Sequence, residues 1–312
     1  MEMLTFKPGR EMEYHKPALL SESVDGLAIK SEGKYVDVTF GGGGHSREIL
    51  NRLSEHGRLF AFDQDPDAEQ NRIDDDRFSL INQNFSFLKN FLRMYNAIPV
   101  DGVLADLGVS FHQFDVPKRG FSFRFTGPLD MRMDQKRKLT AAKIVNEYLV
   151  EDLERILREY GELRNAKQIA HKIELERAQK KIKTVEELKE LLKGMVPEKV
   201  EYKFLAQVFQ ALRIEVNEEL KVIQELLEQT VEVLKDGGRM SVITYHSLED
   251  RMVKNFFRTG NVEGKVEKDF FGNLIRPMNP INRKPVIPSG DEVKENNRAR
   301  SAKLRIAEKI AV

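Results

Sequence analysis

The stretch Val36-Asp37-Val38-Thr39-Phe40-Gly41-Gly42-Gly43-Gly44-His45-Ser46 decides the fold. A run of β-branched and aromatic residues breaks into four glycines, and an apolar-periodic segment follows, a pattern that predicts strand, tight turn and helix. Side chains in such a turn would keep the backbone from bending sharply and from approaching a ligand laid across the helix N-terminus. Downstream, Arg58-Leu59-Phe60-Ala61-Phe62-Asp63 predicts a second strand closed by an acid. It lies about twenty residues past the glycines, where doubly wound sheets place a ribose-binding carboxylate.

Outward from these landmarks, Arg77 to Asn82 predicts a third strand and Val100 to Gly108 a fourth, closed by Asp106. Asp65-Pro66-Asp67 opens a helix, and Phe87, Leu88, Phe91 and Leu92 give the next one an apolar stripe. This alternation implies an α/β fold with a parallel sheet. From about Thr140 to Leu212 the pattern turns helical and charged, which predicts an inserted all-helical subdomain. Gly161 ends one of its helices, and Thr184-Val185-Glu186-Glu187 is a capping box opening another. An amphipathic helix is expected from about Asn217 to Leu234, stopped by Asp236-Gly237-Gly238. Arg239 to Tyr245 then resumes the sheet, and Lys303 to Ala307 supplies the last strand. The expected division is 1–116 for the first part of the sheet domain, 117–213 for a substrate loop and the helical insertion, and 214–312 for the second part.

Composition narrows the function classes. The chain has 312 residues, a net charge of +1 and a sequence pI near 7.8, so any nucleic-acid-binding surface must be local. The absence of cysteine excludes disulfides, thiolate metal sites and cysteine nucleophiles, and fits a reducing compartment. No apolar run approaches the roughly 18 residues of a membrane span, so the expectation is a cytoplasmic protein without a membrane partner. No metal site is expected.

A glycine run alone is weak evidence for a ligand. Asp63 after the second strand, Asn82-Gln83-Asn84-Phe85 after the third and Asp106 after the fourth add polar groups on the edge where open α/β sheets bind ligands. In Gly41-x-Gly43-x-x-Ser46 the third glycine of the dinucleotide fingerprint is replaced, and His45 stands at the helix entrance. That disfavours a pyrophosphate and leaves S-adenosylmethionine, whose ribose needs a carboxylate, as the better fit. Asp63 also suits a helix N-cap.

The segments Val36 to Ser46, Asp106 to Ser110, Arg119 to Phe123, Gly127 to Asp134, Phe209 to Ile214, His246 to Arg251 and Arg298 to Arg305 together resemble the MraW/RsmH family. Its members are S-adenosylmethionine-dependent methyltransferases acting on the N4 amine of a cytidine in the decoding region of 16S ribosomal RNA. The motifs follow the family's order over nearly the whole chain. The resemblance implies a Rossmann-like class I methyltransferase sheet with the helical insertion, and small-subunit ribosomal RNA or the small subunit itself as partner. It implies that Gly43, Gly44 and His45 line the methionine and ribose end of the cofactor and that Asp63 binds the ribose. Phe85 and Asp106 would contact the adenine region or its neighbourhood, and Gln113 would complete the pocket. The chain departs from the family at Phe111-His112-Gln113-Phe114-Asp115, where Ser-Pro-Gln-Leu-Asp is usual, at Lys203-Phe204 and Gln207 before Phe209, and at Asn296-Asn297-Arg298.

For catalysis the candidates are Asp106, as acceptor for an amine hydrogen, and His246, following the fifth strand, as a group that orients the base or accepts a proton. Tyr245, Phe111, Phe121 and Phe123 are candidates to stack on the base. His15, His56, His112 and His171 are expected to be structural or exposed. Lys118 to Lys138 holds seven Lys/Arg against two Asp/Glu, and Arg276 to Lys309 holds nine against four, so both are candidate phosphate-contacting surfaces. The segment from Arg119 to Asp134 is expected to close over the cofactor when RNA binds. Two rivals are a nicotinamide-dependent oxidoreductase and a non-catalytic ribosome-assembly factor. A homo-oligomer is compatible with the sequence.

Overall fold

The computed structural model describes residues 17–311, without the side chains of Phe111 and His112. Helix α1 (Leu20–Gly26) precedes β1 (Lys34–Asp37), and the glycine turn leads into α2 (Gly44–Arg52). Then follow β2 (Arg58–Phe62), β3 (Phe78–Ile81), α3 (Leu88–Met94), β4 (Val100–Asp106) and the short α4 (Phe111–Asp115). Five helices come next, α5 (Ala141–Glu147), α6 (Val150–Glu159), α7 (Ala166–Gln179), α8 (Val185–Leu192) and α9 (Glu198–Asn217). The chain returns to the sheet through α10 (Glu219–Val233), β5 (Leu234–Thr244), α11 (Ser247–Thr259), β6 (Met278–Pro280), α12 (Gly290–Glu295) and β7 (Lys303–Lys309).

The seven strands form one sheet in the order β3-β2-β1-β4-β5-β7-β6. Strands β1 to β5 run parallel, and β7 lies antiparallel between β5 and β6. The order reverses between β1 and β4, which opens a crevice at their carboxyl ends. One apolar cluster packs the sheet's helices onto it and includes Val36, Phe62, Leu88, Val103, Leu226 and Val253. A second, built by α5 to α9 and the segment before them, includes Phe121, Met131, Ile156, Ile169, Leu188 and Val208. The α/β fold and the helices of the insertion follow the sequence pattern.

Several elements differ from the reading. Strand β6 was not anticipated, being three residues long and ending in a proline. Helix α10 ends at Val233, as expected, but the fifth strand begins at Leu234 rather than Arg239, so Asp236-Gly237-Gly238 does not precede it. It lies within β5, where the pairing with β4 shifts between Val100 and Gly102, and Gly237 takes a left-handed φ of 73°. Pro66 to Asn71 forms only a 3-10 helix. Helix α9 runs through residue 213 to Asn217, and Glu218, with a φ of 53°, breaks it from α10. Among the described residues no helix is long and apolar enough to cross a membrane.

Candidate active site

The glycine turn is shaped by close approach. Gly43, the N-cap of α2, has a φ of 77°, and a Cβ there would stand 2.9 Å from the Phe40 ring. A Cβ on Gly44 would stand 2.2 Å from the Pro17 ring. Ser46 Oγ donates to Asp37 Oδ2 at 2.7 Å, and the Thr39 amide donates to Asp37 Oδ1 at 3.1 Å. Asp37 is fully buried, and burial pushes its carboxyl up against the pull of these bonds. Thr39 Oγ1 accepts the Asp106 amide at 2.6 Å, tying the turn to β4.

Asp63 fastens the other side of the turn. Its Oδ2 accepts the Gly41 amide and its Oδ1 the Asp65 amide, both at 2.8 Å. Burial pushes this carboxyl up to about 6, opposed by the two amides. The N-cap role expected of Asp63 falls instead to Asp65, whose side chain accepts the Asp67 amide. Gln113, at 5% exposure, donates to Asp65 Oδ2 at 2.7 Å, so it reaches the Asp63 neighbourhood through Asp65. Phe85 lies just past β3 at the start of a 3-10 turn, half-buried against the sheet cluster.

The structure brings three groups together where β4, β5 and α2 converge. Tyr245 donates its phenol to Asp106 Oδ1 at 2.8 Å, and His45 Nδ1 stands 3.9 Å from Asp106 Oδ2. Burial pushes the Asp106 carboxyl up to about 7; the Tyr245 bond opposes this, while the charges of Asp37 and Glu249 add to it. Burial lowers His45 to about 4, opposed by a bond to the Ala18 backbone, so the ring is neutral at pH 7. Burial and the neighbouring Asp106 raise the Tyr245 phenol well above its usual value, which keeps it a donor.

His246 caps α11. Its Nδ1 accepts the Glu249 amide at 3.4 Å, while Glu249 Oε2 accepts the amides of Tyr245 and His246. Burial raises the Glu249 carboxyl, but the His246 ring and Arg213 outweigh it and leave it below its usual value. Glu219, His246 and Glu249 bring metal-ligating atoms within 4.8 Å of one another, with the Arg213 guanidinium bound to both oxygens of Glu219.

Sequence reasoning missed Asp37, Thr39, Asp65, Glu249 and Arg119. Arg119 Nη1 lies 2.8 Å from Asp65 Oδ2, and its Nη2 donates to the carbonyls of Arg132 and Met133. Asn217 bonds Met131 and Met133 in turn. The Arg119-to-Asp134 segment is therefore fastened to α9 in the absence of RNA. Phe121 is buried, and Phe123 packs edge-to-face on Tyr202 and Phe209, so both pack the insertion. His56 and His171 are exposed, while His15 and the side chains of Phe111 and His112 lie outside the described residues. In the second basic tract, Arg298 pairs with Asp115 and Arg305 with Asp250. In the first, Lys118, Lys136 and Lys138 remain exposed.

A sheet of this order, with a glycine turn after β1, an acid closing β4 at the reversal point and another after β2, is the Rossmann-like class I methyltransferase fold. Residues 12–310 match the MraW methylase family, and the chain belongs to that family. It is 60% identical over 299 residues to the ribosomal RNA small subunit methyltransferase H of Flavobacterium johnsoniae, covering 96% of this chain and 99% of that one. The protein of the same name from Bacteroides thetaiotaomicron is 56% identical over 299 residues, covering 96% and 98%. An rRNA methylase structure from Streptococcus thermophilus aligns over 95% of this chain and 98% of its own, with 14% identity and a TM-score of 0.43.

Proposed function

We propose that the protein transfers a methyl group from S-adenosylmethionine to the N4 amine of a cytidine in the decoding region of small-subunit ribosomal RNA. The observation that carries this reading is the meeting of Asp106, Tyr245 and His45 at the carboxyl edge of the sheet. The residues suit the cofactor. The buried His45 ring offers a polar contact, and the glycine turn admits no side chain at Gly43 or Gly44. In this proposal Gly43, Gly44 and His45 hold the methionine and ribose end. Asp63 keeps lone pairs free for ribose hydroxyls beyond the two amides it accepts. Phe85 and Asp106 contact the adenine region or its neighbourhood, and Gln113 completes the pocket. The cofactor supplies an electrophilic sulfonium methyl.

The amine of cytosine is a poor nucleophile because its lone pair is conjugated with the ring. Asp106 accepts an amine hydrogen and so localises that lone pair on nitrogen. The Tyr245 phenol holds Oδ1, which leaves Oδ2 for the substrate. Methylation makes the nitrogen cationic and acidic, and a carboxyl near 7 then takes the proton and releases it to water. His246, capping α11 beside Tyr245, acts as a positioning residue for that side chain. The partner is the small subunit or its RNA, and the reaction takes place in the cytoplasm.

The test is transfer of labelled methyl to small subunits lacking the modification, followed by nucleoside analysis. Labelled N4-methylcytidine, lost in Asp106→Ala, is expected. Label on another nucleoside, or none despite cofactor binding, rejects the reading.

A further inference from the structure

Between α11 and β6 the chain builds a small projection that the proposed reaction does not use. Lys268 and Leu274 bridge antiparallel, the Ile275 amide donates to Glu267 O, and the Asp269 amide donates to Asn273 O. At the tip, Asp269 Oδ1 accepts the amides of Phe271 and Asn273 at 2.9 and 2.8 Å, and Oδ2 accepts Asn273 Nδ2 at 2.9 Å. Gly272, with a φ of 86°, lets the chain reverse. This fixed turn carries Phe270 at 98% exposure and Phe271 at 85%, their rings edge-to-face with centroids 5.7 Å apart. Val266, Leu274 and Ile275 extend the exposed apolar surface.

A preorganised turn that displays two phenyl rings to solvent marks an interaction surface. Its charge selects the partner. Lys268, paired with Leu274, flanks the tip directly, and Arg258, Lys265 and Arg276 add cations toward its base against Glu263 and Glu267, while the Asp269 carboxylate is turned inward onto the amides of the turn. Aromatic rings flanked by cations are the means by which proteins stack on unpaired bases. Position adds a constraint. Helix α11 starts beside Tyr245 and His246 and ends at Thr259, where Gly260 packs on Arg276 and Pro277 at the base of the projection. Thirteen residues of helix span about 20 Å, so the tip stands on the edge of the sheet away from Asp106.

We propose that Phe270 and Phe271 form a second ribosomal-RNA contact, stacking on unpaired bases of the small subunit remote from the target cytidine. The inference rests on the proposed function and deepens it. Folded subunit RNA can present unpaired bases to both places at once.

The test compares wild type with F270A/F271A and F270W/F271W, each first checked for its melting temperature and S-adenosylmethionine affinity. Cosedimentation with small subunits gives affinity independently of catalysis. The alanine pair is expected to weaken binding and raise KM for subunits by about tenfold to a hundredfold. Its kcat and its methylation of a short hairpin carrying the target should be unchanged, and the tryptophan pair should restore binding. Unchanged subunit affinity in F270A/F271A overturns the proposal. So does a loss seen on intact subunits but not on protein-free ribosomal RNA, which assigns the tip to a ribosomal protein, or a loss of self-association alone, which assigns it to a second copy. Absence of methyl transfer by the wild type, with tip-dependent binding to ribosomal RNA intact, rejects the reaction and not the contact.

Discussion

Ser46 stands where a dinucleotide-binding turn would carry its third glycine, and its hydroxyl satisfies Asp37, a carboxylate with no exposure. Removing it leaves a buried acceptor short of a donor. Ser46→Ala and Ser46→Gly are both expected to cost about 1–3 kcal/mol in urea unfolding. The sequence showed the replacement but not its reason, because Asp37 reads as one more strand residue until the turn folds back on it. Asp63 and Asp106 were legible as acids closing strands; Asp65 and Arg119 were not, since Gln113 and Asp65, with which they pair, are distant in sequence. The elevated Asp106 carboxyl has a consequence for pH. Its folded value of about 7 exceeds the ordinary 3.8, so the folded state holds the proton more tightly, and the stability it contributes is lost as pH rises from about 4 to 7. Asp106→Asn keeps an acceptor for Tyr245 and cannot ionise. It is expected to be more stable than wild type at pH 8 by on the order of a few kcal/mol, with methyl transfer reduced a hundredfold or more. Thermal melts at pH 5 and 8 check the first part, since the difference should shrink at pH 5. Wild-type activity should rise through pH 7 as the carboxylate forms.

At the scale of elements, the cap at Thr184 was readable because all its parts lie within four residues, and the structure contains both bonds of the box. Thr184→Ala is expected to lower stability by about 1 kcal/mol without changing KM. The cap at His246 was not readable, because histidine is not among the usual capping residues. Asparagine caps well, so His246→Asn should retain most of kcat, while His246→Ala should lose about 1 kcal/mol of stability and more of kcat. Equal loss of kcat in both variants would mean that the imidazole itself meets the substrate. Strand β6 escaped the reading because three residues carry no periodicity, and the start of β5 was placed at Arg239 rather than Leu234 because Asp-Gly-Gly has the same signature in a turn and in a bulge.

For the whole molecule, a net charge of +1 conceals how cations are spent. Much of the C-terminal basic tract is used inside the fold, as the Arg305 pair with Asp250 shows, whereas Lys136 and Lys138 stand exposed. Lys136→Ala with Lys138→Ala is expected to weaken binding of small subunits and to reduce the slope of log affinity against log salt by roughly one per lysine. An unchanged slope removes this surface from the RNA footprint. The arrangement of the sheet also sets an order of events during synthesis. Strand β7 separates β5 from β6 yet is made after both, so each awaits its neighbour until residues 303–309 emerge. Asp250, on the helix that follows Tyr245 and His246, waits equally for Arg305. A nascent chain short of β7 therefore carries every residue of the proposed catalytic group on an unfinished sheet, and the enzyme becomes competent only once residues 303–309 have been made.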